Sequence, residues 1–285
     1  GSAATFVFAP CWNGSGDAVT DALQIKKIGH VLEVTLDRPK VNAIDFELSR
    51  QLGAAFAMLR DDPELRAGIL TAKGERIFSA GWDLKALDAG EAQLDNWWDS
   101  GEFGDGGFAG LTENWTLNKP VIGALNGLVI GGGFELAMAC DLLVAAEHVE
   151  FALPEMALGL VPDAGALQRL PRRLPYNIAM EMFLLGRRMT AREAAHHGLV
   201  NKVVPAGELM DVARDWAGRI AGAAPLAVQS VKEVLRAIQC TPLEQAFADM
   251  RSGELAVYQA MLASQDAKEG VKAFVEKREL VFKGR

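Results

Sequence analysis

Basic charge is scarce in this chain: 29 Lys and Arg stand against 37 Asp and Glu, for a formal net charge of −8. The Lys and Arg are also dispersed, so the basic patch that nucleic-acid binding requires is missing. The acidic balance suits a cationic small molecule, although solubility alone would account for it. Cysteine is nearly absent. Cys11, Cys140 and Cys240 show no Cys-x-x-Cys spacing and no neighbouring His, which argues against a disulfide framework and a metal site and predicts a reducing compartment. Histidine is as sparse, and none of His30, His148, His196 and His197 sits in a nucleophile motif with Ser or Cys, so Ser/His or Cys/His catalysis is not expected. His196-His197 precede Gly198 and read as a helix end. No apolar run reaches membrane-spanning length, and the first positive charge is Lys26, which leaves no signal-peptide n-region. A cytoplasmic protein without membrane attachment is the expectation.

What is present is an ordinary core-forming composition, half apolar and 23% charged over 285 residues. Residues 1–20 are punctuated by Gly and Ser and read as a poorly ordered tail. Val31–Leu36 alternates as a strand and is broken by Asp37-Arg38-Pro39-Lys40. From Asp45 to Leu59, Phe46, Leu48, Leu52, Ala55, Phe56 and Leu59 share one helical face. Further strands are predicted at 67–71 and 121–126, so short strands repeatedly feed a loop and a helix, an α/β pattern. Residues 88–111 form a long Gly-rich, acidic stretch whose Trp97, Trp98, Phe103 and Phe108 either line a lid or pack beneath the loop. After Pro162 the pattern is helical, with segments at 163–170, 175–185, 190–197, 206–221, 225–238, 242–264 and 266–276. The expected division is a core over 21–220 and a C-terminal helical domain over 221–285.

The chain is organised around residues 126–141, where an apolar strand runs into Gly131-Gly132-Gly133 and then a helix beginning Phe134-Glu135. The first N–H groups of a helix lack intrahelical acceptors, carry partial positive charge, and become accessible when glycines precede them. Close packing would also explain the glycines. The pattern matches neither the phosphate loop nor the dinucleotide fingerprint. Twenty residues on, Glu155 lies in an otherwise apolar stretch, 151–165. A buried carboxylate must be paired or protonated, so Glu135 and Glu155 together point to acid–base chemistry.

Four segments in this order carry a family resemblance: Leu36-Asp37-Arg38-Pro39 with Asn42-Ala43, Phe78-Ser79-Ala80-Gly81 with Asp83-Leu84, Gly131 to Glu135, and Pro154-Glu155. Over residues 22–285 they resemble the enoyl-CoA hydratase/isomerase, or crotonase, superfamily. The resemblance is strongest to the branch that dehydrates carnitinyl-CoA, through Phe78 to Lys85, Gly106 to Glu113, Val161-Pro162-Asp163, Glu276-Lys277-Arg278 and the ending Phe282 to Arg285. It implies a spiral core of repeated ββα turns with a C-terminal helical trimerisation domain, assembled as a homotrimer or dimer of trimers. It implies an acyl-CoA substrate, with CoA part of the substrate and no separate cofactor or metal. By resemblance, the backbone N–H groups of Trp82 and Gly132 hold the thioester oxygen. Glu155 exchanges a proton with Cα, and Glu135 holds the water at Cβ. Lys40, Val41, Ala43, Ala80, Asp83, Leu84 and Lys85 resemble CoA-contacting loops, and Lys277 is expected to reach a CoA phosphate of a neighbouring subunit. Asp163 departs from the family pattern, which usually has Gly there. Two readings stand for it: a helix N-cap or a charge partner for a cationic acyl group.

Overall fold

The structure, a computed structural model, describes residues 17–91, 94, 96–99 and 103–285. The first sixteen residues of the expected tail lie outside that set, as does Cys11.

One sheet of seven strands runs β1 (Asp17–Val19), β2 (Leu23–Ile28), β3 (Val31–Leu36), β5 (Ala67–Ala72), β8 (Val121–Leu125), β10 (Leu142–Ala146) and β13 (Lys202–Val204). The first three pair antiparallel and the rest parallel. Every residue of β5 and β8 is buried, as expected for parallel strands covered on both faces. A four-stranded sheet holds β12 (Met189–Thr190), β11 (Glu150–Ala152), β9 (Leu128–Ile130) and β6 (Ile77–Ser79), and β4 (Ala43–Ile44) pairs with β7 (Gly81–Trp82). β1 occupies residues expected as tail.

Helices fill the spiral. α1 (Phe46–Asp61) begins at Asp45, whose carboxylate accepts from the Leu48 N–H at 2.8 Å, and it buries the predicted face. α2 (Leu84–Asp88), α3 (Gly132–Ala139), α4 (Ala166–Arg169), α5 (Tyr176–Leu185) and α6 (Ala191–His196) follow. α7 (Leu209–Gly222) packs on β5, β8 and β10 through Ala213, Ala217 and Ala221, small residues one turn apart that let helix and sheet approach closely. The chain ends in α8 (Pro225–Ile238), α9 (Leu243–Arg251), α10 (Ala256–Ala263) and α11 (Gln265–Glu276).

Two expected elements differ. The helix read over 242–264 is split into α9 and α10 at Ser252-Gly253-Glu254, where Gly253 takes φ +88° and leaves the helical region. The strand read over 121–126 does not itself reach the glycines. It stops at Leu125, turns at Asn126-Gly127, and the chain then joins the other sheet as β9. Asn126 Nδ2 donates to Ala72 O at 2.7 Å, and a side chain on Gly127 would strike the Arg76-Ile77 backbone at 2.4 Å.

This crossing positions the site. Each turn contributes one strand to the large sheet and the next to the small one: β5 then β6, β8 then β9, β10 then β11. The small-sheet strands β6, β9 and β11 are parallel neighbours, with Ser79 opposite Val129 and Ala152 opposite Ile130. Their C-terminal ends therefore deliver Gly81-Trp82, Gly131-Gly132 and Pro154-Glu155 to one place.

Candidate active site

A cavity of about 310 Å³ opens at that place, lined by residues that include Ala80, Trp82, Leu84, Gly132, Glu135, Glu155 and Asp163. Phe108, Trp97, Leu87, Leu94, Leu158, Leu160, Val161 and Ala164 contribute to its largely apolar wall.

Two of the lining residues, Gly132 and Trp82, bring backbone amides to it. Gly132 is the first residue of α3, so its N–H has no intrahelical acceptor. In β7 the Asp83 N–H is turned toward β4, where it donates to Ile44 O at 2.8 Å, and strand alternation turns the Trp82 N–H the other way. A Cβ on Gly81, at φ +84°, would lie 2.4 Å from Gly132 N, so only glycine lets the two segments meet. Gly131 has a similar role on the other side: a Cβ there would sit 2.8 Å from Glu155 Oε1.

Both glutamates enter this space from different turns. Glu135, in the first turn of α3, is buried, and its Oε1 accepts from the Ala166 N–H at 2.9 Å. Burial pushes its carboxyl up to about 8; the Ala166 N–H opposes this, Glu155 and Asp163 add to it, and Arg169 opposes it. Glu155 follows Pro154, and its Oε2 is buried with no hydrogen-bond partner among the described residues. Burial raises its pKa too; a bond from its own N–H opposes that, and Asp163 adds to it. Two amides and two carboxyls whose pKa values are raised by burial converge on one cavity, an arrangement able to stabilise a developing oxyanion and move protons beside it.

A family profile described as enoyl-CoA hydratase/isomerase matches residues 26–285. The carnitinyl-CoA dehydratases of Salmonella paratyphi A and Salmonella enteritidis are each 52% identical over 267 residues, covering 94% of this chain and all of theirs. The chain belongs to the enoyl-CoA hydratase/isomerase family. Among solved structures, enoyl-CoA hydratase EchA1 from Mycobacterium marinum superposes with a TM-score of 0.83 at 37% identity, covering 93% of this chain and 100% of that one. An enoyl-CoA hydratase from Geobacillus kaustophilus superposes with 0.83 at 31%, over 94% and 99%. The fold is therefore the crotonase fold expected from the motifs.

Within this enoyl-CoA hydratase/isomerase chain, the other sequence candidates separate into groups. Val41, Ala43 and Asp83 brace the loop beneath the cavity and do not line it. Val41 O accepts from the Ala80 N–H at 3.0 Å, Ala43 lies opposite Gly81 in the β4–β7 pair, and Asp83 caps α2 and pairs with Arg38 at 2.9 Å. Burial alone would raise the Asp83 carboxyl, but the Ala86 and Lys85 N–H groups and Arg38 outweigh it and hold it below the usual range. Lys40 and Lys85 are exposed near the mouth loops, and Lys277 is exposed at the C-cap of α11. None of the three lines the cavity. Arg278 beside it is committed to Glu269, at 2.5 and 2.8 Å, and to Glu276.

Asp163 is not a helix N-cap. Gly165 occupies that position before α4, and Asp163 Oδ2 instead accepts from Trp97 Nε1 at 3.0 Å. The aromatic stretch divides accordingly: Trp97 and Phe108 line the cavity, Phe103 is buried behind them, and Trp98 is exposed. Sequence reading missed Arg169, which donates to Thr112 O and bears on Glu135, and missed Arg38, which pairs with Asp45, Asp83 and the Ala43 carbonyl. An Arg in an LDRP run is a visible signal, but its partners lie on three separate elements. Among the described residues there is no cluster able to hold a metal ion, and no helix is long and apolar enough to cross a membrane.

Proposed function

We propose that the chain interconverts carnitinyl-CoA and crotonobetainyl-CoA plus water. The observation that carries the reading is the make-up of the acyl cavity: Glu135, Glu155 and Asp163 line it with Trp82, Trp97 and Phe108, and among the described residues no Lys, Arg or His lines it. Carboxylates and aromatic faces are what a quaternary ammonium group binds, with a cation over an indole contributing about 0.5–2 kcal/mol. The 52% identity to carnitinyl-CoA dehydratases supports the same substrate.

In dehydration, the Trp82 and Gly132 N–H groups hold the thioester oxygen as charge develops on it, each such donor contributing roughly 3 kcal/mol to the transition state. Glu155, ionised, takes the α-proton. Glu135, protonated, gives its proton to the departing β-hydroxyl, which leaves as water while the Cα–Cβ double bond forms. The raised Glu135 pKa suits a group that must carry a proton near neutrality. Hydration runs the same steps backward. The balance needs no redox cofactor or metal; CoA enters as part of the substrate, through the mouth near Ala80 and Leu84, with Lys40, Lys85 and a neighbouring subunit's Lys277 as its proposed polar contacts.

Trimer or dimer-of-trimers assembly belongs to this reading, supported by the apolar face that α11 leaves exposed at Val271, Phe274 and Val275. A cytoplasmic setting is supported by the free, exposed Cys240.

Mixing the protein with crotonobetainyl-CoA or crotonyl-CoA and following the enoyl-thioester absorbance tests the function. Faster loss with the cationic substrate, abolished in a Glu135→Gln/Glu155→Gln double variant, is expected. Loss with crotonyl-CoA alone would leave a general short-chain hydratase, and no loss with either would leave acyl-CoA binding without this chemistry.

A further inference from the structure

A second cavity, of about 730 Å³, adjoins the first, and its lining includes Trp98, Trp115, Arg172 and Gln239. Among the described residues the two share three in their linings: Trp97, Asp163 and Ala164. The partition is therefore one indole, one carboxylate and one methyl group. The indole is fixed on several sides. Trp97 is 4% exposed, its ring meets those of Trp82, Phe103 and Trp98 edge-on at 5.1, 5.4 and 5.8 Å, and its N–H is held by Asp163. A large ring restrained by packing and by a charge-assisted bond makes a rigid wall.

We propose that Trp97, held by Asp163, is the end wall of the acyl pocket and limits acyl length by closing the first cavity off from the second. The proposal rests on the reading that the acyl group occupies the first cavity. The trimethylammonium terminus of carnitinyl-CoA ends as far from the thioester as a six-carbon chain does, and longer unbranched chains have to pass the wall. Removing the indole joins the two cavities.

The test compares crotonyl-, 2-hexenoyl-, 2-octenoyl- and 2-decenoyl-CoA in wild type, Trp97→Ala, the milder Trp97→Leu, and Trp115→Ala, a change in the lining of the second cavity only. Loss of the enoyl chromophore gives kcat/KM, and circular dichroism checks folding. Trp97→Ala or Trp97→Leu should raise the octenoyl-to-crotonyl ratio by about tenfold or more, on the scale at which pockets discriminate methylenes. Trp115→Ala should leave the ratio as in wild type. An unchanged ratio in a folded Trp97 variant overturns the proposal, as does a wild type that turns over octenoyl-CoA as well as crotonyl-CoA. Calorimetric binding of butanoyl- and octanoyl-CoA makes the same comparison without turnover. A chain with no hydratase activity would thus sink the functional reading while the length effect was still read from binding.

Discussion

Glu135 and Glu155 both read from the sequence as carboxyls in apolar runs, and both are brought to one cavity with raised pKa values. Burial sets Glu135 apart, and its consequence for stability has a definite sign. The native pKa is about 8 against an ordinary 4.5, so the native state holds a proton that the unfolded chain releases across that window. The contribution is complete below about 4.5 and is lost as pH rises through about 8. Urea unfolding followed from pH 5 to 9 should show stability falling with pH, and Glu135→Gln should flatten the slope by an amount on the order of a few kcal/mol. Catalysis has a related signature: the proposed dehydration mechanism uses the protonated form, so the rate should decline above about pH 8, as initial rates on a pH series will show. Asp163 was legible only as a charge of uncertain duty. Its partner, Trp97, is sixty-six residues away in sequence, and no local pattern records such a bond.

At the scale of elements, the amide of Trp82 depends on the short β4–β7 pair, which has little area of its own to hold it. Arg38 supplies the clamp. Its guanidinium reaches Asp45 at the start of α1 at 2.5 Å, Asp83 at the start of α2 at 2.9 Å, and the Ala43 carbonyl of β4 at 2.5 Å. Ser79 Oγ donates to Asn42 O at 2.7 Å and accepts from the Gly81 N–H at 3.1 Å, tying the same two loops together. On the proposed mechanism Arg38→Gln should therefore lower kcat by about tenfold to a hundredfold with a smaller change in KM, since displacing an oxyanion-binding amide costs transition-state stabilisation more than substrate binding. Steady-state kinetics with a thermal melt as control will check this; equal losses in kcat and melting temperature across neighbouring structural variants would instead mark Arg38 as a general stabiliser. The amphipathic α1 and the strand β3 were legible because their periods are local. β9 was not separated from β8, because the turn at Asn126-Gly127 is dictated by the Arg76-Ile77 backbone it must pass.

For the whole molecule, α11 leaves Phe274 85%, Val275 74% and Val271 69% exposed in the single chain. Apolar side chains so placed on a terminal helix gain most by burial against another copy. Sedimentation should show a trimer or hexamer, and Phe274→Glu should shift it toward smaller species; a monomeric wild type would refute the assembly. By itself the sequence determined the family, the spiral alternation of strand and helix, and the two glutamates with their glycine loop, because each rests on residues close along the chain. Tertiary structure alone decided that the ends of β6, β9 and β11 lie side by side, that Arg38 clamps three elements, and that Trp97 and Asp163 close the cavity. Those are contacts between distant segments, and they exist only once strand register and sheet order have brought the segments together.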